Sequence, residues 1–130
     1  MSKKATLEEL IKRKEQGKLD KMQLKEVEVA SLGLTFTVVK QPLTAILKLI
    51  DRYNGAEGLS NNFEMCKELI YMSIPLFQSQ ELQTAYECSE PFDIVPLVLD
   101  NNLGAIGELA DTITEMYGIG NGGVVNQLKN

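Results

Sequence analysis

The side chains that most often perform catalysis or bind metal ions are scarce in this sequence. It contains no histidine, which excludes Ser-His-Asp and Cys-His arrangements and any zinc site built on imidazole. Cys66 and Cys88 are the only cysteines, too few for a four-thiolate site. Carboxylate pairs such as Glu87 and Glu90 are typical of solvated surfaces in an acidic protein. We therefore predict a non-enzymatic protein without a metal or other cofactor.

One glycine-rich segment has the letters of a dinucleotide-binding motif. Residues 118–123 read GIGNGG and match GxGxxG. That motif binds a pyrophosphate only where a strand precedes it inside a βαβ unit, and the sequence predicts neither here. We instead expect residues 118–130 to form a flexible, glycine-rich tail.

Charge is unevenly distributed along the chain. Residues 1–25 hold eight Lys or Arg against four Asp or Glu, whereas residues 26–130 hold five against fourteen. An acidic body repels nucleic acid, and the basic segment is too short and too poor in aromatic residues to bind it specifically, so we expect no nucleic-acid partner. The basic run Lys12-Arg13-Lys14 fits either a solvated helix face or a docking arm for an acidic partner, including the acidic body of another copy.

Length and hydropathy indicate one small domain. We assign residues 1–117 of the 130 to it, because a chain of this length can bury a core without disulfides or metals. No apolar run approaches the roughly 20 residues that a membrane-spanning helix needs. The charged opening Met1-Ser2-Lys3-Lys4 is unlike a signal peptide, so we expect reduced cysteines and a cytoplasmic location, with no membrane partner.

The amino-terminal part predicts a helix and then a β-hairpin. Thr6-Leu7-Glu8-Glu9 has the spacing of a capping box, which starts a helix from Leu7 to Gln16 within a basic arm, 1–20. Its apolar stripe is small, so we expect the helix to dock weakly or to stay mobile. Residues 24–39 alternate apolar and polar side chains around a turn at 30–33, the pattern of two paired strands with one buried face. Because a lone hairpin is marginally stable, it must lie on the helices or pair with another strand.

Residues 42–117 predict a compact bundle of short helices. Pro42 starts the first of them, and Pro75 ends or kinks the second. A short helix at 80–86 and a bent element after Pro91 follow, and a single helical stripe of apolar residues then extends from Leu103 to Tyr117. The fold class is therefore mostly α, or α+β, with the hairpin as its only sheet. The predicted buried positions of the first helix are Leu43, Ile46, Leu47, Ile50 and Tyr53, and those of the helix at 80–86 are Leu82, Ala85 and Tyr86.

Two glycines stand inside the last predicted helix. Gly104 and Gly107 each cost a helix about 1 kcal/mol relative to alanine. We expect close backbone packing against a neighbouring element to compensate.

The order of these elements resembles a known family. The segments Lys25-Glu26-Val27-Glu28-Val29 and Thr35-Phe36-Thr37-Val38-Val39-Lys40, followed by Pro42-Leu43 and a helix, are similar to the front of the XkdN-like tail assembly chaperones of long-tailed phages and prophages. Met65-Cys66-Lys67-Glu68-Leu69-Ile70-Tyr71, Pro91-Phe92-Asp93-Ile94-Val95 and Met116-Tyr117-Gly118 resemble the helical remainder of that family. The resemblance covers nearly the whole chain.

The resemblance implies a function that the residues alone do not indicate. It implies a non-enzymatic chaperone that keeps the long tape measure protein soluble, helps tail tube subunits assemble around it, self-associates, and leaves before the virion matures. Its location would be the bacterial host cytoplasm. It also implies that a longer, frameshifted product could diverge from this one within the glycine-rich tail.

The mechanism we expect is multivalent capture, in which many copies of the chain coat a long client, each through weak apolar and strand-edge contacts. The candidate contact residues are chosen on this basis. For each candidate the alternative is a place in the core or on a solvated face. Two other functions remain open from the sequence: a structural tail component of the connector or terminator type, and a small acidic regulatory protein-binding module. The candidate contact residues are Lys12, Arg13, Lys14, Leu32, Leu34, Phe36, Leu109, Ile113 and Tyr117.

Overall fold

The structure is a computed structural model that describes residues 4–19 and 24–119, with only the backbone of residue 13 and of residues 15–19. It confirms a mostly helical fold with one antiparallel hairpin. The predicted flexible tail falls largely on residues 120–130, outside the described part of the chain. The elements are α1 (Leu7–Leu19), β1 (Leu24–Val29), β2 (Leu34–Val39), α2 (Leu43–Arg52), α3 (Leu59–Ser73), a 3₁₀ helix (Pro75–Gln78), α4 (Gln80–Ala85), a second 3₁₀ helix (Pro91–Asp93), α5 (Ile94–Val98) and α6 (Leu103–Glu115).

The hairpin has the predicted boundaries and the predicted buried face. β1 pairs with β2 so that Val27 lies opposite Phe36, and the turn between them ends at Gly33, whose φ of 65° favours glycine. Val27, Phe36 and Val38 are buried, while the intervening residues face solvent. The hairpin thus lies on the helices, where α6 and the first 3₁₀ helix pack against it.

The buried apolar side chains of the described residues form one cluster that extends from β1 to α6. α3 supplies much of it and packs against α2, α5 and α6. On α6, Ile106, Ala110 and Ile113 are buried, as the predicted helical stripe requires. Leu103, at the start of that stripe, is 43% exposed and does not belong to the core.

Two helices bury only some of the residues that the sequence predicts. Ile46 is buried, and Ile50, Tyr53 and Leu82 are half-buried against the core. In α2, Leu43 and Leu47 are exposed, and Leu49 is buried beside Ile46. Two overlapping apolar stripes run along α2, and the one that packs inward is rotated away from the predicted one. Ala85, the last residue of α4, and Tyr86, which follows it, are exposed because this six-residue helix offers the core only the half-buried Leu82. α1 is also three residues longer than predicted, although Thr6 caps it as expected, accepting the backbone N–H of Glu9 at 3.2 Å.

A polar contact joins the end of α2 to α3. The hydroxyl of Tyr53 donates to the carboxylate of Glu68. Arg52 pairs with the other oxygen of that carboxylate at 3.1 Å. Burial, and then the hydrogen bond and charge of Glu68, raise the pKa of Tyr53 from 10.0 to about 12.

We expect this contact to make folding sensitive to alkaline pH. The unfolded chain releases the Tyr53 proton near pH 10, whereas the folded chain retains it up to about pH 12, so the free energy of unfolding falls as pH rises through this interval. Urea unfolding at pH 8, 10 and 11 measures the slope of the free energy of unfolding against pH, and Tyr53→Phe should make this slope smaller. Burial also raises the pKa of Tyr117, so a residual slope of the same sign should remain in that variant. An unchanged slope in Tyr53→Phe would contradict the assignment.

Candidate protein-binding groove

An apolar groove of about 320 Å³ lies between the first turns of α3 and α6. Both helices begin at this groove: α3 follows Gly58, whose φ is 102°, and α6 follows Asn102. The Asn102 side chain accepts the backbone N–H of Ala105 at 3.1 Å and so fixes the start of α6. The lining residues are Leu59, Asn62, Phe63, Cys66, Leu103, Gly104, Ile106 and Gly107.

The two glycines of α6 contribute to the open space. Gly107 is buried, but Gly104 is exposed, and within 4 Å a Cβ there would meet only Oδ1 of Asn102, at 3.3 Å. The expected close packing is therefore wrong for Gly104. A Cβ at that position would press on the Asn102 side chain that caps α6, but it would meet no neighbouring element within 4 Å.

One polar side chain in this apolar lining has an unpaired oxygen. Asn62 is 5% exposed, and its Oδ1 is buried with no hydrogen-bond partner among the described residues. A buried acceptor left unpaired costs about 1–3 kcal/mol. Apolar walls with a single polar side chain among them are typical of a binding site.

The chain around the groove is acidic. Residues 53–66 and 97–110, which contain all the lining residues, hold four acidic residues and no Lys or Arg. Lys67 lies next to the first segment, but its ammonium pairs with Glu64 at 3.1 Å and with Asp93 at 3.7 Å. The same ammonium stands 5.4 Å from the centre of the Phe63 ring. Since Lys67 neutralises Glu64, three acidic residues of these segments, Glu57, Asp100 and Glu108, remain to favour a partner that carries positive charge.

Three of the residues predicted to contact a partner lie in the core. Phe36 is 5% exposed, Leu109 2% and Ile113 0%. Their apolar spacing matches a contact stripe and a core stripe equally well, and burial resolves the choice in favour of the core. A contact surface on the folded chain has to be formed by other residues.

Tyr117 is half-buried and makes its polar contacts within the chain. Its hydroxyl accepts the backbone N–H of Gln41 at 2.5 Å, and the Lys40 ammonium stands 5.4 Å from the centre of its ring. Leu32 is half-buried against the core, whereas Leu34 is 52% exposed at the end of the hairpin. Of the predicted hairpin contacts, Leu34 is thus the one that lies mainly on the surface.

The predicted basic contacts belong to α1, whose apolar residues are also exposed. Lys12 and Lys14 face solvent, and the side chain of Arg13 lies outside the described part of the structure. Three apolar residues with the spacing of one helix face are exposed as well, and none of them was predicted as a contact. They are Leu7 (77%), Leu10 (55%) and Ile11 (50%).

Sequence reasoning did not find the groove. The available signals were an asparagine on the apolar face of α3 and glycines at two positions of α6, but they lie about forty positions apart in the sequence. Across the described residues, no group of three or more acidic or cysteine side chains is placed to hold a metal ion, and no helix is long and apolar enough to cross a membrane.

No family model, no curated protein and no solved structure matches the chain. A functional assignment therefore depends on the sequence patterns quoted above and on the geometry of the groove.

Proposed function

We propose that the protein is a non-enzymatic phage tail assembly chaperone that binds the tape measure protein, keeps it soluble and assists tail tube assembly. The resemblance to XkdN-like chaperones supports this activity. The structural observation that carries the binding role is the apolar groove between α3 and α6, with the unpaired Oδ1 of Asn62 in its lining.

The groove fits the recognition of an amphipathic helix. In this mode apolar side chains of the bound helix enter the groove, and polar groups fix its position. Leu59 and Leu103, 59% and 43% exposed, would contact such side chains. One such contact is weak, but several chaperone copies on one long client gain avidity when they also contact each other.

Co-expression with the product of the downstream gene tests the proposal. If that product is a long helical protein, we expect it to become soluble and to co-purify with several copies of this chain. Leu59→Asp, which places a charge on the rim of the groove, should weaken this binding at least about tenfold, because the lost apolar contact is worth more than about 1.4 kcal/mol. Leu76→Asp is the matched control, since Leu76 is 60% exposed in the 3₁₀ helix and does not line the groove.

Other outcomes would favour the two remaining functions. A neighbour that stays insoluble beside folded chaperone contradicts the proposal. Stable incorporation into purified particles would instead identify a connector or terminator subunit. Binding to a basic partner that is lost at high salt would favour a small acidic regulatory module, because screening weakens contacts between exposed charges.

A further inference from the structure

We propose that Asn54, in the connection between α2 and α3, is a site of spontaneous deamidation. Gly55 follows it, and this is one of two Asn-Gly pairs in the sequence. The other, Asn121-Gly122, lies outside the described part of the chain. Because glycine has no side chain, the backbone nitrogen after the asparagine can approach the side-chain amide closely. The site does not depend on the proposed function.

The reaction needs only the chain and water. The backbone nitrogen of Gly55 attacks Cγ of Asn54, so that a new C–N bond forms and the bond from Cγ to Nδ2 breaks. The Gly55 amide proton leaves to solvent, and Nδ2 takes up a proton and departs as ammonia, which leaves a cyclic imide. Water then opens the imide at one of its two carbonyl carbons. Opening at Cγ gives aspartate, and opening at the backbone carbonyl gives isoaspartate, without any oxidation or reduction.

The fold leaves both reacting groups accessible. Asn54 and Gly55 are exposed in the turn that follows α2. The backbone N–H of Asn54 donates to the carbonyl of Asp51 at 3.1 Å, and that of Ala56 donates to the carbonyl of Tyr53 at 3.0 Å. Between them, the N–H of Gly55 has no acceptor among the described residues. The attacking nitrogen is therefore not held in a hydrogen bond that would have to break first.

The other described asparagines lack this combination. Each is followed by a residue with a side chain. The backbone N–H after Asn61 and the one after Asn101 each donate to a backbone carbonyl, at 3.2 Å and 3.0 Å. Asn62 is buried within α3, and the side chain of Asn102 is bound as the cap of α6. Among these residues we expect Asn54 to react first.

Either product replaces a neutral amide with a carboxylate. The new negative charge lies in the connection that ends at Gly58, where α3 and the groove begin. Isoaspartate also adds a methylene to the backbone of this connection, directly after Tyr53, whose hydroxyl joins α2 to Glu68 of α3. The modification thus changes charge and backbone length near the groove.

Mass spectrometry of the full chain, incubated folded and then digested with trypsin, tests the site. Trypsin releases residues 53–67 separately from residues 68–129, which contain Asn121. A sample digested before incubation corrects for deamidation during digestion. We expect the amide of Asn54 to be lost with both isoaspartate and aspartate formed, and faster at pH 8 than at pH 7, because the nitrogen attacks after it loses its proton. Asn54→Gln should abolish the reaction at this position, since glutamine would have to close a larger ring.

Incubation in guanidinium chloride separates the effect of the fold from that of the sequence. Because an exposed turn opens at almost no cost in free energy, the rate at Asn54 in the folded chain should lie within about tenfold of its rate in denaturant. The rates at Asn61 and Asn62, in the same peptide, should be lower in the folded chain than in denaturant, because α3 protects them.

Three results would overturn the inference. The first is a rate at Asn54 that falls by more than about tenfold on folding, which would mean that the turn protects the amide. The second is a loss of amide at Asn61 or Asn62 in the folded chain that is as fast as the loss at Asn54. The third is aspartate formed without isoaspartate, which would indicate direct hydrolysis of the side chain instead of attack by the Gly55 nitrogen.

Discussion

Replacing Ile113 with aspartate is expected to unfold the chain. Ile113 is 0% exposed on α6, within the cluster that joins the hairpin to the helices. Removing a buried isoleucine side chain costs about 2–5 kcal/mol, and burying an unpaired carboxylate adds several more. Since a domain is stable by only about 5–15 kcal/mol, Ile113→Asp should lose its helical circular dichroism signal and its cooperative urea transition.

Two other variants separate this effect from loss of a contact surface. Ile113→Val should stay folded and lose only about 0.5–1.5 kcal/mol, because the cavity it leaves is small. Leu103→Asp on the same helix should also stay folded, since Leu103 is 43% exposed. If Ile113→Asp kept its cooperative transition and lost only self-association, the core position of Ile113 would be wrong.

The hairpin is the part of the fold that the sequence predicts best. The alternation through Val27 and Val29, and through Phe36 and Val38, indicates one face, and the structure buries that face. A period of two leaves only one register in which these side chains meet the core. The short turn ending at Gly33 then fixes the pairing.

Helix faces are harder to predict, because a helix rich in leucine and isoleucine carries more than one apolar stripe. In α2 the sequence permits Ile46 and Ile50 to share a stripe with Leu43 and Leu47 or with Leu49. Packing against α3 decides between them. Local periodicity contains no information about that choice.

The candidate site is the feature that the sequence predicts least well, because an apolar stripe does not show what will cover it. Leu109 and Ile113 belong to an apolar stripe whatever covers it, a core or a partner, so their spacing could not separate the two. The groove requires Asn62 of α3 and Gly104 of α6 to lie side by side, which depends on how two distant helices pack.

Phe77 is a core residue that no sequence pattern indicated. It lies in the 3₁₀ helix Pro75–Gln78, which is too short to show a period, and it is 0% exposed. Its ring meets that of Phe36 on β2 edge to face, with centroids 5.4 Å apart and planes at 60°. This contact joins the hairpin to the connection between α3 and α4.

Phe77→Ala is therefore expected to lower the free energy of unfolding by about 3–5 kcal/mol, because it removes a fully buried ring and leaves a cavity. Urea unfolding of Phe77→Ala, Phe36→Ala and the double variant measures the coupling of the two rings, which should be about 0.5–1.5 kcal/mol. Leu76→Ala, at a neighbouring position that is 60% exposed, should cost far less. If the changes in the free energy of unfolding caused by the two ring deletions were additive, burial alone would stabilise the hairpin. Coupling in the expected range would mean that the contact between the rings itself helps to hold the hairpin against the helices.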